Sequence, residues 1–76
     1  MPEYRFRIST SRRAFPESTR FLSDRHAAYH EGLATFADLA RDIANDLQPD
    51  SEWRLEIADE LGKPIYKLTV SAQSLE

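Results

Sequence analysis

The hydrophobic period of this chain changes from two to 3.6 and back to two, which commits it to a helix set between two groups of strands. Tyr4, Phe6 and Ile8 alternate with Glu3, Arg5, Arg7 and Ser9, so a strand over residues 3–9 places its apolar side chains on one face and its charges on the other. Trp53, Leu55 and Ile57 alternate with Glu52, Arg54 and Glu56 in the same way. Between these segments Ser23 and Asp24 supply oxygen acceptors for the free amides of a helix start, and no proline intervenes before Pro49. One long helix is predicted over residues 24–47. At about 100° per residue, Tyr29, Leu33, Phe36, Ala40, Ile43 and Leu47 form a narrow stripe, flanked by Ala37 and Ala44 on one side and Leu39 on the other. This stripe is the expected core face, with Trp53 buried against Tyr29, Leu33 and Phe36. Gly32 costs about 1 kcal/mol relative to alanine inside a helix, so packing rather than propensity must hold it.

Two further strands complete the pattern. Ser9-Thr10-Ser11-Arg12-Arg13 reads as a turn, and a second strand falls between Ala14 and Leu22. Pro16 lacks a ladder donor and places that strand at a sheet edge. Asp59-Glu60-Leu61-Gly62 reads as a hairpin turn in which Gly62 takes the left-handed conformation. A fourth strand follows, with Tyr66, Leu68 and Val70 inward and Ile65, Lys67 and Thr69 outward. The expected fold is α+β, of ββαββ order: a four-stranded antiparallel sheet with one long helix packed on one face. A right-handed crossover gives the strand order 2-1-3-4. A helix of roughly 36 Å over strands of roughly 23 Å leaves one end overhanging the sheet.

The chain has 76 residues, and at about this length only about 60% of the unfolded surface is buried, enough for one core. Residues 1–74 are expected to form a single domain, and Leu75-Glu76 reads as a cloning remnant ahead of an affinity tag. There is no cysteine, which excludes disulfides and thiolate zinc sites. Apolar residues at 41% and charged residues at 30% are ordinary for a folded domain. Neither a signal peptide nor an apolar run of the roughly 20 residues that span a bilayer is present. The expected compartment is the cytoplasm.

Charge is unevenly distributed. The net value is −3, but residues 1–25 carry +3 and residues 26–62 carry −7. Asp38, Asp42 and Asp46 recur every four residues, with Glu31 on the same side, forming an acidic helix stripe opposite the core face. Its ordinary reading is a solvated face, because a convex surface lacks the water-excluding setting of a catalytic carboxylate pair. Its functional reading is a partner-binding surface. Acids near a helix C-terminus oppose the macrodipole, so local terms alone predict that Asp46→Lys raises stability by roughly 0.5–1 kcal/mol.

Arg5, Arg7, Arg12, Arg13 and Lys67 are the candidates for nucleic-acid contact, from the first hairpin and the outer sheet face. The aromatics Tyr4, Phe6, Trp53 and Tyr66 point inward by parity, away from any base-stacking platform on that face. Cross-strand Arg–Glu pairing is the ordinary reading, and nucleic acid is disfavoured as a partner. His26 and His30 have the i,i+4 spacing that lets two imidazoles share a metal, but no third or fourth ligand is evident, so they read as residues bordering the apolar stripe. No Gly-x-Ser-x-Gly elbow occurs, and with two glycines there is no phosphate loop. Neither an enzyme activity nor a cofactor or metal is expected.

The opening Met1-Pro2-x-Tyr4-x-Phe6, the helix entered at Asp24 with Ala40-Arg41-Asp42, and the closing Trp53-Arg54-Leu55-Glu56-Ile57-x-Asp59-Glu60-x-Gly62 carry a resemblance. Through them the chain resembles a family of short uncharacterised bacterial proteins grouped as a domain of unknown function. Members of that family have an Asp-Gly turn after the first strand and a Glu-Gly turn before the helix, where this chain has Thr10-Ser11-Arg12-Arg13 and Glu17-Ser18-Thr19. The resemblance implies a fold and no chemistry. The expected role is a small protein-interaction or regulatory module that self-associates or docks a protein partner, with a nucleic-acid-binding module as the alternative.

Overall fold

The computed structural model describes residues 1–76. Strands β1 (Glu3–Thr10) and β2 (Ser18–Phe21) are followed by helices α1 (Arg25–Asp38) and α2 (Ala40–Asp46), then by strands β3 (Ser51–Ala58) and β4 (Pro64–Ala72). The four strands form one antiparallel sheet in the order β2-β1-β3-β4. No helix is long and apolar enough to cross a membrane.

Alternation in β1 and β3 supplies the inner face. Tyr4, Phe6, Trp53, Leu55 and Ile57 are all buried there, and register stacks Phe6 beside Ile57 and Ile8 beside Leu55. Asp24 caps α1, its side chain accepting from the Ala27 amide at 2.8 Å. At the last turn the Asp59 carboxylate accepts from the amides of Leu61 and Lys63, and Gly62 sits at φ +82°, the left-handed region expected of it.

The helical segment departs from expectation in two ways. It is two helices rather than one, interrupted at Leu39, whose φ of −90° and ψ of 0° lie outside the helical well. Neither glycine nor proline stands there. One local cause is the Thr35 hydroxyl, which donates back to the Glu31 carbonyl at 2.8 Å, a bond that bends helices. The Leu39 amide is then shared between the carbonyls of Thr35 and Phe36. The buried face is also rotated from the predicted stripe. Ile43 of the stripe is buried and Phe36 packs against the core. Ala28 and Gly32, from beside the stripe, are buried too, while Leu33 is 40% exposed and Ala40 is exposed. The cause is close approach: a Cβ at Gly32 would stand 2.7 Å from Cδ1 of Ile57, so the smallest residues of α1 lie nearest the sheet, with Phe36 and Tyr29 packing at their sides.

Two corrections concern the strands. Trp53 is buried, but its neighbours are Phe15, with ring centroids 5.5 Å apart, and Asp46, not Tyr29, Leu33 and Phe36. Ile65, expected outward, packs against the core. The register shifts between Ile57, opposite Tyr66, and Ala58, opposite Pro64, so Ile65 is the extra residue of a bulge. Val70 lies on the inner face as predicted yet is 36% exposed, because no helix covers that end of β4.

Candidate functional site

The first hairpin turns sharply because buried Thr10 holds it. The Thr10 hydroxyl oxygen accepts from the amides of Arg12 and Arg13, each at 3.1 Å, while Ser11 and Glu52 exchange bonds that fasten the turn to β3. The chain then runs back beside β1, with the Phe15 amide donating to the Ile8 carbonyl at 2.9 Å. Pro16 ends this pairing before β2 begins. Phe15 is thereby laid against Trp53, and Arg13 lies over the Phe15 ring at 4.8 Å.

Opposite this hairpin the break at Leu39 lets α2 descend toward β3. A cleft of 390 Å³ opens between them, lined by Ile8, Phe15, Leu39 and Trp53 as its apolar floor and by Arg13, Asp42, Asn45 and Asp46 around its rim. An apolar floor with a few convergent polar groups is the usual form of a binding site. Asp46 is committed within the fold. One of its oxygens accepts from Nε1 of Trp53 at 3.0 Å and the other from Nη2 of Arg12 at 2.9 Å. Asp42 and Arg13 form no ion pair, so the rim carries one anion and one cation open to a ligand.

The acidic stripe therefore divides. Asp42 and Asp46 share the cleft, whereas Asp38 is exposed on the other side of the break, beside Ala37, Ala40 and Arg41. Glu31 turns to the sheet, bonded to Arg20 of β2. Arg20 stands opposite Tyr4, places its guanidinium 5.2 Å from the Phe6 ring centroid and reaches the Thr35 hydroxyl at 3.5 Å. Two candidate groups with opposite assignments, the acids of the helix and the arginines of the first turn, meet at the Arg12–Asp46 contact.

Arg5, Arg7 and Lys67 lie on the outer sheet face, apart from Arg12 and Arg13. Arg7 is opposite Glu56, Glu56 is opposite Lys67, and Arg7 also pairs with Glu17 at 2.8 Å. Charge alternates along the whole row. Arg5 and Arg54 each approach a carboxylate of their own strand, Glu3 and Glu52 respectively, at 3.5 Å. Tyr4, Phe6 and Trp53 are buried on the opposite face, which leaves this surface without a stacking platform. His26 and His30 are exposed, with Nε2 atoms 3.1 Å apart, and no third His, Asp or Glu joins them to make a ligand set.

Phe15, Leu39 and Asn45 were not among the candidates. Phe15 precedes a proline in a segment where strand parity cannot be assigned, and Leu39 enters the cleft only through the helix break.

The ββαββ order and the open four-stranded antiparallel sheet define a small α+β domain. The chain belongs to the family Domain of unknown function (DUF6894), which matches residues 3–71. No curated protein and no solved structure matches the chain.

Proposed function

We propose that this domain is a protein-interaction module without catalytic activity, which takes an apolar side chain of a partner polypeptide into the cleft at the helix break. The carrying observation is the floor of Ile8, Phe15, Leu39 and Trp53 beneath a rim where Asp42 and Arg13 have no ionic partner. Its volume of 390 Å³ suits one large side chain with its flanking backbone. A basic partner residue beside that anchor would face Asp42 and an acidic one would face Arg13. Asp46, already holding Trp53 and Arg12, sets the wall rather than the specificity. Aromatic floors of this kind supply most of the binding energy, with the rim choosing among partners.

An array of short synthetic peptides tests this reading, each carrying Phe, Leu or Trp between one basic and one acidic residue. Binding is expected for a subset of sequences, weakened about tenfold or more by Asp42→Lys. Replacing the basic peptide residue by glutamate should restore affinity to that variant. Asp42 is exposed, so the substitution leaves the fold intact. Failure of every peptide, or binding indifferent to Asp42→Lys, refutes the cleft as the docking site.

A further inference from the structure

The two edges of the sheet are unlike. β2 is short and follows Pro16, which blunts it against further pairing. β4 runs over Pro64–Ala72, has β3 on one side and no strand on the other, and contains one charged residue, Lys67. Alternate backbone amides and carbonyls along it therefore face outward unpaired. The same margin is apolar on the helix side. Tyr29 packs on Tyr66 with ring centroids 5.2 Å apart, and Leu33, one turn further on the same side of α1, is 40% exposed. Further along the same face of β4 Val70 is 36% exposed, and Leu68 between is only half-buried.

We infer that β4 pairs antiparallel with β4 of a second copy, joining two sheets into one of eight strands. The occupant follows from self-complementarity. A two-fold axis at Leu68 sets Leu68 against its own copy, Tyr66 against Val70, and Lys67 against Thr69. All three apolar residues then meet on the helix side, while the one charge of the strand faces a hydroxyl rather than a like charge. Lys67 keeps Glu56 as its opposite number on β3. The paired edge, Ile65 to Ser71, is roughly 23 Å long, and both α1 helices lie on the same face, bringing each exposed Leu33 toward the two-fold. Backbone pairing supplies affinity, and the alternating side chains set the register. This interface is separate from the cleft and does not depend on it.

Sedimentation of the full chain over a range of concentrations, together with amide hydrogen exchange, tests the inference. A concentration-dependent doubling of mass is expected, with protection appearing at the outward-facing amides between Ile65 and Ser71. Val70→Lys and, independently, Leu33→Lys should each raise the dissociation constant about tenfold or more. Both positions are exposed, and a Leu33→Lys effect stands even if Val70→Lys perturbs the sheet. A monomer at every concentration up to the solubility limit overturns the inference. So does a dimer that both variants leave unchanged, or one in which those amides exchange as fast as in the monomer.

Discussion

The indole of Trp53 and the carboxylate of Asp46 are joined at 3.0 Å, which ties the end of α2 to the first residues of β3. The other carboxylate oxygen takes the Arg12 guanidinium at 2.9 Å, so the turn of the first hairpin, 34 residues away in sequence, is joined to the α2–β3 junction on one side chain. Trp53 is 2% exposed, so its indole depends on this carboxylate for a partner within the fold.

Asp46→Lys is therefore expected to destabilise, reversing what the isolated helix would do. Local dipole and i,i+4 terms favour lysine by roughly 0.5–1 kcal/mol, but stranding a buried indole donor costs about 1–3 kcal/mol. The lysine would also stand against Arg12. The Arg12 pair itself adds little, because that side chain is 66% exposed. A net loss of about 1–2 kcal/mol in urea denaturation is expected, and Asp46→Asn, which keeps an acceptor for the indole, should lose less than half of that. A gain for Asp46→Lys would show that the indole bond contributes nothing.

Gly32→Ala opposes helix propensity to packing. Alanine gains about 1 kcal/mol within a helix, but its Cβ would lie 2.7 Å from Cδ1 of Ile57, with side-chain atoms of Leu68 and Leu55 at 3.4 and 3.5 Å. Ile57 is fully buried, so its terminal methyl has little room to retreat, and overpacking costs about 1–3 kcal/mol. A net loss near 1 kcal/mol is expected. Ile57→Val removes the clashing methyl. The double variant should then be more stable than the two single losses predict, a coupling measurable by a double-mutant cycle.

These two sites show what was legible from the residues alone. Period-two alternation in β1 and β3 is a local signal and yielded the inner face; the crossover rule supplied the strand order, and turn chemistry the left-handed Gly62. The helix break, the rotated helix face and the Asp46 contact are tertiary effects. A large residue such as Leu33 is predicted buried only if helix and sheet stand at ordinary distance, and at Gly32 they stand closer. The acids were visible as a stripe, but their division between cleft and solvent depends on Leu39, where no residue type announces a break. Arg20 was hidden for another reason: with the register of β2 unknown, nothing assigned it to the helix side.

Arg20→Ala is expected to cost about 1–1.5 kcal/mol, mostly through lost packing on Phe6 and a weakened β2 edge. Its ion pair with Glu31 is discounted because both side chains are over a third exposed. Arg20→Met, which keeps the apolar stem, should lose less than Arg20→Ala, and Glu31→Gln less than either. Thermal or urea unfolding orders the three. Equal losses for Glu31→Gln and Arg20→Ala would place the energy in the ion pair instead.

Nucleic acid should not bind this domain with measurable salt dependence near physiological ionic strength, because the outer sheet face is electrically closed. Arg5, Arg7, Arg54 and Lys67 share that face with Glu3, Glu17, Glu52 and Glu56, and Glu17, Arg7, Glu56 and Lys67 alternate in sign along one row. A phosphate approaching any of these cations also meets a carboxylate, so little counterion release remains to drive association. Anisotropy of a labelled single-stranded oligonucleotide should therefore stay flat as salt is lowered toward the physiological range. Replacing Glu17, Glu52 and Glu56 together by glutamine should open the face, producing weak binding whose logarithm falls with log salt at about −0.7 for each phosphate engaged. Micromolar binding by the unaltered protein, lost in Arg12→Ala/Arg13→Ala, would instead place a phosphate site on the first turn.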